Sequence, residues 1–126
     1  VSALAELAEQ LRAEDTPISG HVVDLGPVGT EAPDDYALVM EAVREGYLLH
    51  YGESRLLAGH DPDLALLAGD YLYALGLDRL AAMGDTRAVA VLSELIGRCA
   101  QLHAEGRGGE VEPLWVAAAR EIRQPR

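Results

Sequence analysis

Apolar residues recur three or four apart almost from the start of the chain. Leu4, Leu7, Ala8 and Leu11 form one stripe, with Glu6, Glu9 and Arg12 outside it, which predicts an amphipathic helix over Ser2–Glu14. From Asp15 to Pro33 that period is lost, and Pro17, Gly20, Gly26, Pro27, Gly29 and Pro33 mark a loop. Within it His21–Leu25 suits a brief extended segment. No other strand is evident in the chain, so the segment is expected as loop or as an edge offered to another subunit.

A second helix is predicted from Pro33-Asp34-Asp35 to about Ala58. Proline and acids suit a first turn, and Tyr36, Val39, Met40, Val43, Tyr47 and Tyr51 make the stripe, widened by Leu38, Ala42 and Leu49. Gly46 and Gly52 bend it or admit a close neighbour, and Gly59 ends it. Asp61 and Pro62 then open a third helix that runs through Met83 and is apolar nearly all round: Leu64, Leu66, Leu67, Tyr71, Leu72, Tyr73, Leu75, Leu77 and Leu80. Such a helix is expected to be covered on several sides. Gly69 and Gly76 share one of its faces, and each costs roughly 1 kcal/mol against alanine inside a helix. The pair is expected where another helix passes close to the backbone.

Gly84 and Asp85 separate the third helix from a fourth, Thr86–Ala104, whose near-heptad stripe is Val89, Leu92, Ile96, Cys99 and His103. Gly106, Gly108 and Gly109 form a hinge. A last helix over about Val111–Ile122 carries Val111, Leu114, Trp115, Ala118 and Ile122, and docks either on this chain or on a neighbour. The expected fold is therefore all-α, a bundle of four to five helices in one domain over residues 1–126. Residues 1–33 supply an N-terminal helix and loop, 34–105 the core helices and 110–124 a C-terminal helix.

Charge narrows the partners. The 126 residues carry 21 acids against 10 basic side chains, a formal charge of −11, which repels nucleic-acid phosphates and anionic membranes. All the basic residues are arginine, which excludes lysine Schiff bases and a P-loop. The single Cys99 cannot form an internal disulfide, and with no signal-like opening a reducing cytoplasmic compartment is expected. The long apolar stretch includes Asp70, Asp78 and Arg79, which are costly in lipid, so it belongs to a protein core and not to a transmembrane segment.

Candidate chemistry is sparse. Asp34 and Asp35 are adjacent acids that could hold magnesium, but no third acid follows on their face, and a helix N-terminus explains them. Glu45, His50 and Glu53 are candidate metal ligands, in reversed order relative to the Glu-x-x-His pairs of di-iron bundles and without a second copy. No cofactor is expected. Cys99 and His103 read as core or interface residues, His60 as part of a turn, and His21 has no readable partner. Asp70 lies in an apolar helix, where burial would demand a partner such as Arg44 or Arg55.

The segment from His60 to Ala74, His-Asp-Pro-Asp-Leu-Ala-Leu-Leu-Ala-Gly-Asp-Tyr-Leu-Tyr-Ala, is followed by Leu80-Ala-Ala-Met-Gly-Asp85. Together they resemble the helix after the first aspartate-rich motif of trans-polyprenyl diphosphate synthases, a likeness covering about Val43–Ala104. The resemblance implies isoprenoid-synthase-like packing, with Gly69 and Asp70 matching as packing residues. Where that family carries Asp-Asp-x-x-Asp, this chain reads Tyr47-Leu-Leu-His-Tyr-Gly-Glu-Ser-Arg55, and the second aspartate-rich motif and the diphosphate-binding lysines are absent. No magnesium or diphosphate ligand carries over.

The chain is thus more similar to the small, motif-free subunit that partners a catalytic one in heteromeric synthases. The expected function is a non-catalytic subunit or self-associating module, as a homo-oligomer or with a larger synthase subunit, with Gly69, Asp70, Gly76 and Trp115 at packing or interface positions. A helical scaffold that encloses an apolar molecule is the alternative, and a metal-binding bundle on Glu45, His50 and Glu53 the second.

Overall fold

A computed structural model describes residues 2–25 and 34–124. Five α-helices appear in it: α1 (Ser2–Ala13), α2 (Asp35–Tyr51), α3 (Pro62–Ala82), α4 (Thr86–Ala104) and α5 (Glu112–Ile122), with short 3-10 turns at Ser19–His21 and Gly108–Glu110. The protein is all-helical. Its internal contacts divide it into two compact units, Val1–Gly76 and Leu77–Arg126, and α3 passes from one to the other.

In the first unit the stripe of α1 is buried as the pattern demands. Leu4, Leu7, Ala8 and Leu11 pack with Ile18, Ala42, Leu49, Leu56, Leu57, Ala68 and Leu72. Fully burying a leucine stabilises by roughly 1.5–3 kcal/mol, so this cluster is the main reason a short helix holds its place. Beyond the end of α1, Asp15 takes a left-handed conformation (φ 54°), one that aspartate tolerates better than most residues. The Ser19 hydroxyl donates to the Leu11 carbonyl (2.7 Å) and accepts the Thr16 N–H (2.9 Å), closing the last turn. Arg12 donates to the Val23 carbonyl (2.6 Å) and draws the following segment back over the helix end.

That segment departs from expectation. Val22 pairs antiparallel with Leu57, Val23 N–H donates to the Leu56 carbonyl (2.7 Å), and Ala58 N–H to the His21 carbonyl (3.0 Å). The extended stretch finds its partner within the chain because α2 stops at Tyr51, well short of Ala58. Gly52 closes α2 through its N–H to the Leu48 carbonyl (2.8 Å), and residues beyond it are free to extend.

Aspartate side chains open the later helices. Asp34 accepts from Ala37 N–H (2.9 Å), Asp61 from Leu64 N–H (2.8 Å) and Asp85 from Ala88 N–H (3.0 Å), each satisfying a donor that the first helical turn leaves unpaired. Pro33 lies outside the described residues.

The α2–α3 seam is glycine-mediated. A Cβ at Gly46 would stand 2.9 Å from the Gly69 carbonyl oxygen, and one at Gly69 would stand 3.1 Å from the Gly46 carbonyl oxygen. One at Gly76 would meet Val43 at 2.6 Å and the Val39 carbonyl oxygen at 3.3 Å. Only glycine admits this approach of two backbones.

In the second unit Gly84 (φ 75°) turns the chain out of α3, and Asp85 N–H closes the turn on the Leu80 carbonyl (3.1 Å). Ala88, Leu92, Leu95, Cys99 and Leu102 form the buried face of α4, rotated by one residue from the predicted stripe; Val89, Ile96 and His103 flank it, half-buried. The α5 helix docks on α4 of its own chain, burying Trp115, Ala118 and Ile122. Arg87 locks it there by donating to the carbonyls of Glu121 (3.0 Å), Ile122 (3.4 Å) and Gln124 (3.3 Å), where the helix exposes unpaired acceptors. The glycine turn before α5 has a packing role, because a Cβ at Gly108 would stand 2.5 Å from the His103 ring. On its surface Arg107 grips both oxygens of Glu110 (2.8 Å each), holding that carboxyl below its ordinary range.

Candidate functional site

The residues with candidate chemistry separate into three places. Glu45 is fully buried on α2 and faces the chain just beyond it. Its Oε1 accepts from the Ser54 hydroxyl (2.7 Å), Arg55 N–H (2.9 Å) and Leu56 N–H (3.1 Å), and its Oε2 from Arg55 Nε (2.6 Å). Arg55 also reaches Glu41 at 3.2 Å. One carboxylate thus pairs with an arginine and organises the turn after α2, since an acid in the interior is tolerable only when its oxygens are paired. Glu45, a metal candidate by sequence, has this structural role instead. The signal lay in its place on the buried face, between Ala42 and Leu49, with Ser54 and Arg55 following.

His50, the penultimate residue of α2, meets α3. Its Nε2 lies 3.0 Å from Asp70 Oδ1, and its ring stacks on Tyr73 with centroids 5.3 Å apart and planes 14° from parallel. A Cβ at Gly69 would come within 2.8 Å of that ring, so the glycine makes room for the histidine. Asp70 is 74 % exposed and bonded to His50, which corrects the expectation of a buried acid paired with Arg44 or Arg55. Glu53 is exposed. The structure therefore does not bring Glu45, His50 and Glu53 together, and among the described residues no three His, Cys, Asp or Glu side chains are grouped to hold a metal ion. Cys99 is buried among the α4 residues, and Trp115 is buried on α5.

The third place is a face of α3. Leu66 and Leu67 are 51 % and 63 % exposed, so this helix is not covered all round as its composition suggested. Leu67 borders a pocket of about 180 Å³ walled by Thr16, Pro17, Ile18, Leu64, Ala68 and Tyr71. The Tyr71 hydroxyl donates to Glu14, and that bond to a carboxylate pushes its pKa up to about 12. Asp63 and Asp70 stand one turn to either side of the two leucines, both exposed, and Glu14 and Asp15 are exposed beside Thr16. A second pocket, of about 230 Å³, lies in the other unit between α4 and α5, lined by Val91, Leu95 and Leu114 together with Glu94, Arg98 and Glu121.

The α3 face differs from the other two places in its exposed leucines. Its neighbours on α2 are consumed by internal bonds, whereas its two leucines are turned to solvent. Among the described residues no helix is long and apolar enough to cross a membrane. Compared with family models, curated proteins and solved structures, the chain matches none.

Proposed function

We propose that the chain is a non-catalytic helical subunit that works by association, similar in plan to the small partner subunit of a heteromeric polyprenyl diphosphate synthase. The observation that carries this reading is how its acids are employed. Asp34, Asp61 and Asp85 cap helices, Glu45 holds a turn, and Asp70 pairs with His50. The segment resembling the synthases coincides with α3 and the turn into α4, where Gly69 serves helix packing. Isoprenoid-synthase-like packing of these helices is part of the proposal.

The test is an assay with an allylic diphosphate, isopentenyl diphosphate and magnesium. The chain alone is expected to give no product, and a catalytic synthase subunit is expected to co-purify with it and gain activity. Product formation by the isolated chain refutes the reading.

The pocket beside Tyr71 favours a second reading, a module that holds an apolar molecule. Mass spectrometry of organic extracts from the purified protein decides it: a stoichiometric isoprenoid or lipid supports the ligand reading, and its absence removes it.

A further inference from the structure

The geometry points to the α3 face at Leu66 and Leu67 as the docking site for an amphipathic helix of a partner protein, one whose apolar stripe is flanked by arginine or lysine. This rests on the association reading and names the surface and the partner's chemistry.

Three observations meet there. Leu66 and Leu67 are adjacent and both more than half exposed, and Leu67 borders a pocket with apolar walls at Pro17, Ile18, Leu64 and Ala68. Apolar anchors three or four residues apart on a helix fill such a groove. Four exposed acids neighbour its lining residues: Asp15 and Asp63, together with Glu14, which accepts from Tyr71, and Asp70, which pairs with His50. Finally, residues 1–76 hold 14 of the chain's 21 acids and 3 of its 10 arginines. Those three arginines are engaged elsewhere in the unit: Arg12 with Glu9 and Val23, Arg55 with Glu41 and Glu45, and Arg44 over the Tyr47 ring. Two copies meeting through this same face would bring acid against acid, which is costly. A partner helix with cationic flanks satisfies these acids while its apolar residues cover the leucines.

The probe is a synthetic helical peptide with leucines three and four residues apart and arginine on both flanks. Its control has the same leucines with glutamate for each arginine. Fluorescence anisotropy with the full chain is expected to show the arginine peptide binding about tenfold tighter or more, with affinity falling as salt rises. Leu67→Asp, at an exposed position that leaves the fold intact, is expected to reduce that affinity at least about tenfold. Val116→Asp on α5 is expected to leave it unchanged, and Asp63→Arg with Asp70→Arg to invert the preference toward the glutamate peptide.

Equal binding of the two peptides overturns the proposal, as does undiminished binding by Leu67→Asp. A dimer of the chain alone that Leu67→Asp dissolves also overturns it, by assigning the face to a second copy. Failure here with intact activation of a synthase removes this surface and spares the association reading; turnover by the chain alone removes the reading itself.

Discussion

Glu45 shows what a single buried carboxylate does when its oxygens are filled. Removing it in Glu45→Ala strands the Arg55 N–H, leaves the Leu56 N–H with the Ser54 hydroxyl alone and takes the closest partner from the Arg55 guanidinium. The expected loss is about 3–5 kcal/mol, read as a fall in the urea midpoint. Glu53→Gln, on the exposed chain just beyond α2, should stay within about 0.5 kcal/mol of the parent. Tyr71 makes a second residue-scale prediction. Its folded pKa of about 12 lies above the ordinary tyrosine value of 10.0, chiefly because Glu14 holds the protonated phenol. The folded state therefore binds that proton more tightly. The stabilisation is fully present below pH 10 and is lost as pH rises from 10 toward 12. Ultraviolet titration should show Tyr71 ionising late, and Glu14→Ala should bring that ionisation to lower pH. Capping by Asp34, Asp61 and Asp85 was legible in the sequence because a cap acts within three residues of itself. The Tyr71–Glu14 bond spans 57 positions, and no local pattern announces such a pair.

At the scale of elements, the glycines divide by what surrounds them. Gly69→Ala and Gly76→Ala push a methyl group into the Gly46 carbonyl and the Val43 side chain respectively, and each is expected to cost about 1–3 kcal/mol. Gly97, also inside a helix, has open space where its Cβ would lie, so Gly97→Ala should stabilise by about 1 kcal/mol. Chemical denaturation of the three variants side by side checks both signs. Helix number and order were readable from periodicity, since four of the five helices end within two residues of the pattern. The end of α2 was not. Leu56 and Leu57 look like one more turn of an apolar stripe, but Gly52 and the Glu45 carboxylate take the backbone out of the helix first. The small rotation of α4 has a similar cause: Ala88 and Leu95 are no more apolar than Val89 and Ile96, so periodicity alone does not choose between them.

Across the whole molecule the charge is unevenly shared. Residues 77–126 hold 7 acids and 7 arginines, so the net charge of −11 belongs to residues 1–76. Salt screens repulsion among exposed charges. Raising it from about 10 to 200 mM, across which the Debye length shortens from roughly 30 to below 10 Å, should therefore strengthen the first unit and leave the second nearly unchanged. Urea titrations followed by tyrosine and by tryptophan emission would measure the two responses. This imbalance was present in the sequence but invisible to composition alone, because it needs the boundary at Gly76. Trp115, buried on α5, adds a consequence of its own. All five tyrosines fall between residues 36 and 73, so the protein carries donor fluorophores in one unit and a lone acceptor in the other. Energy transfer from tyrosine to tryptophan is then an unlabelled optical ruler. Its efficiency during docking would report whether a partner engaging α3 also affects the unit that carries Trp115.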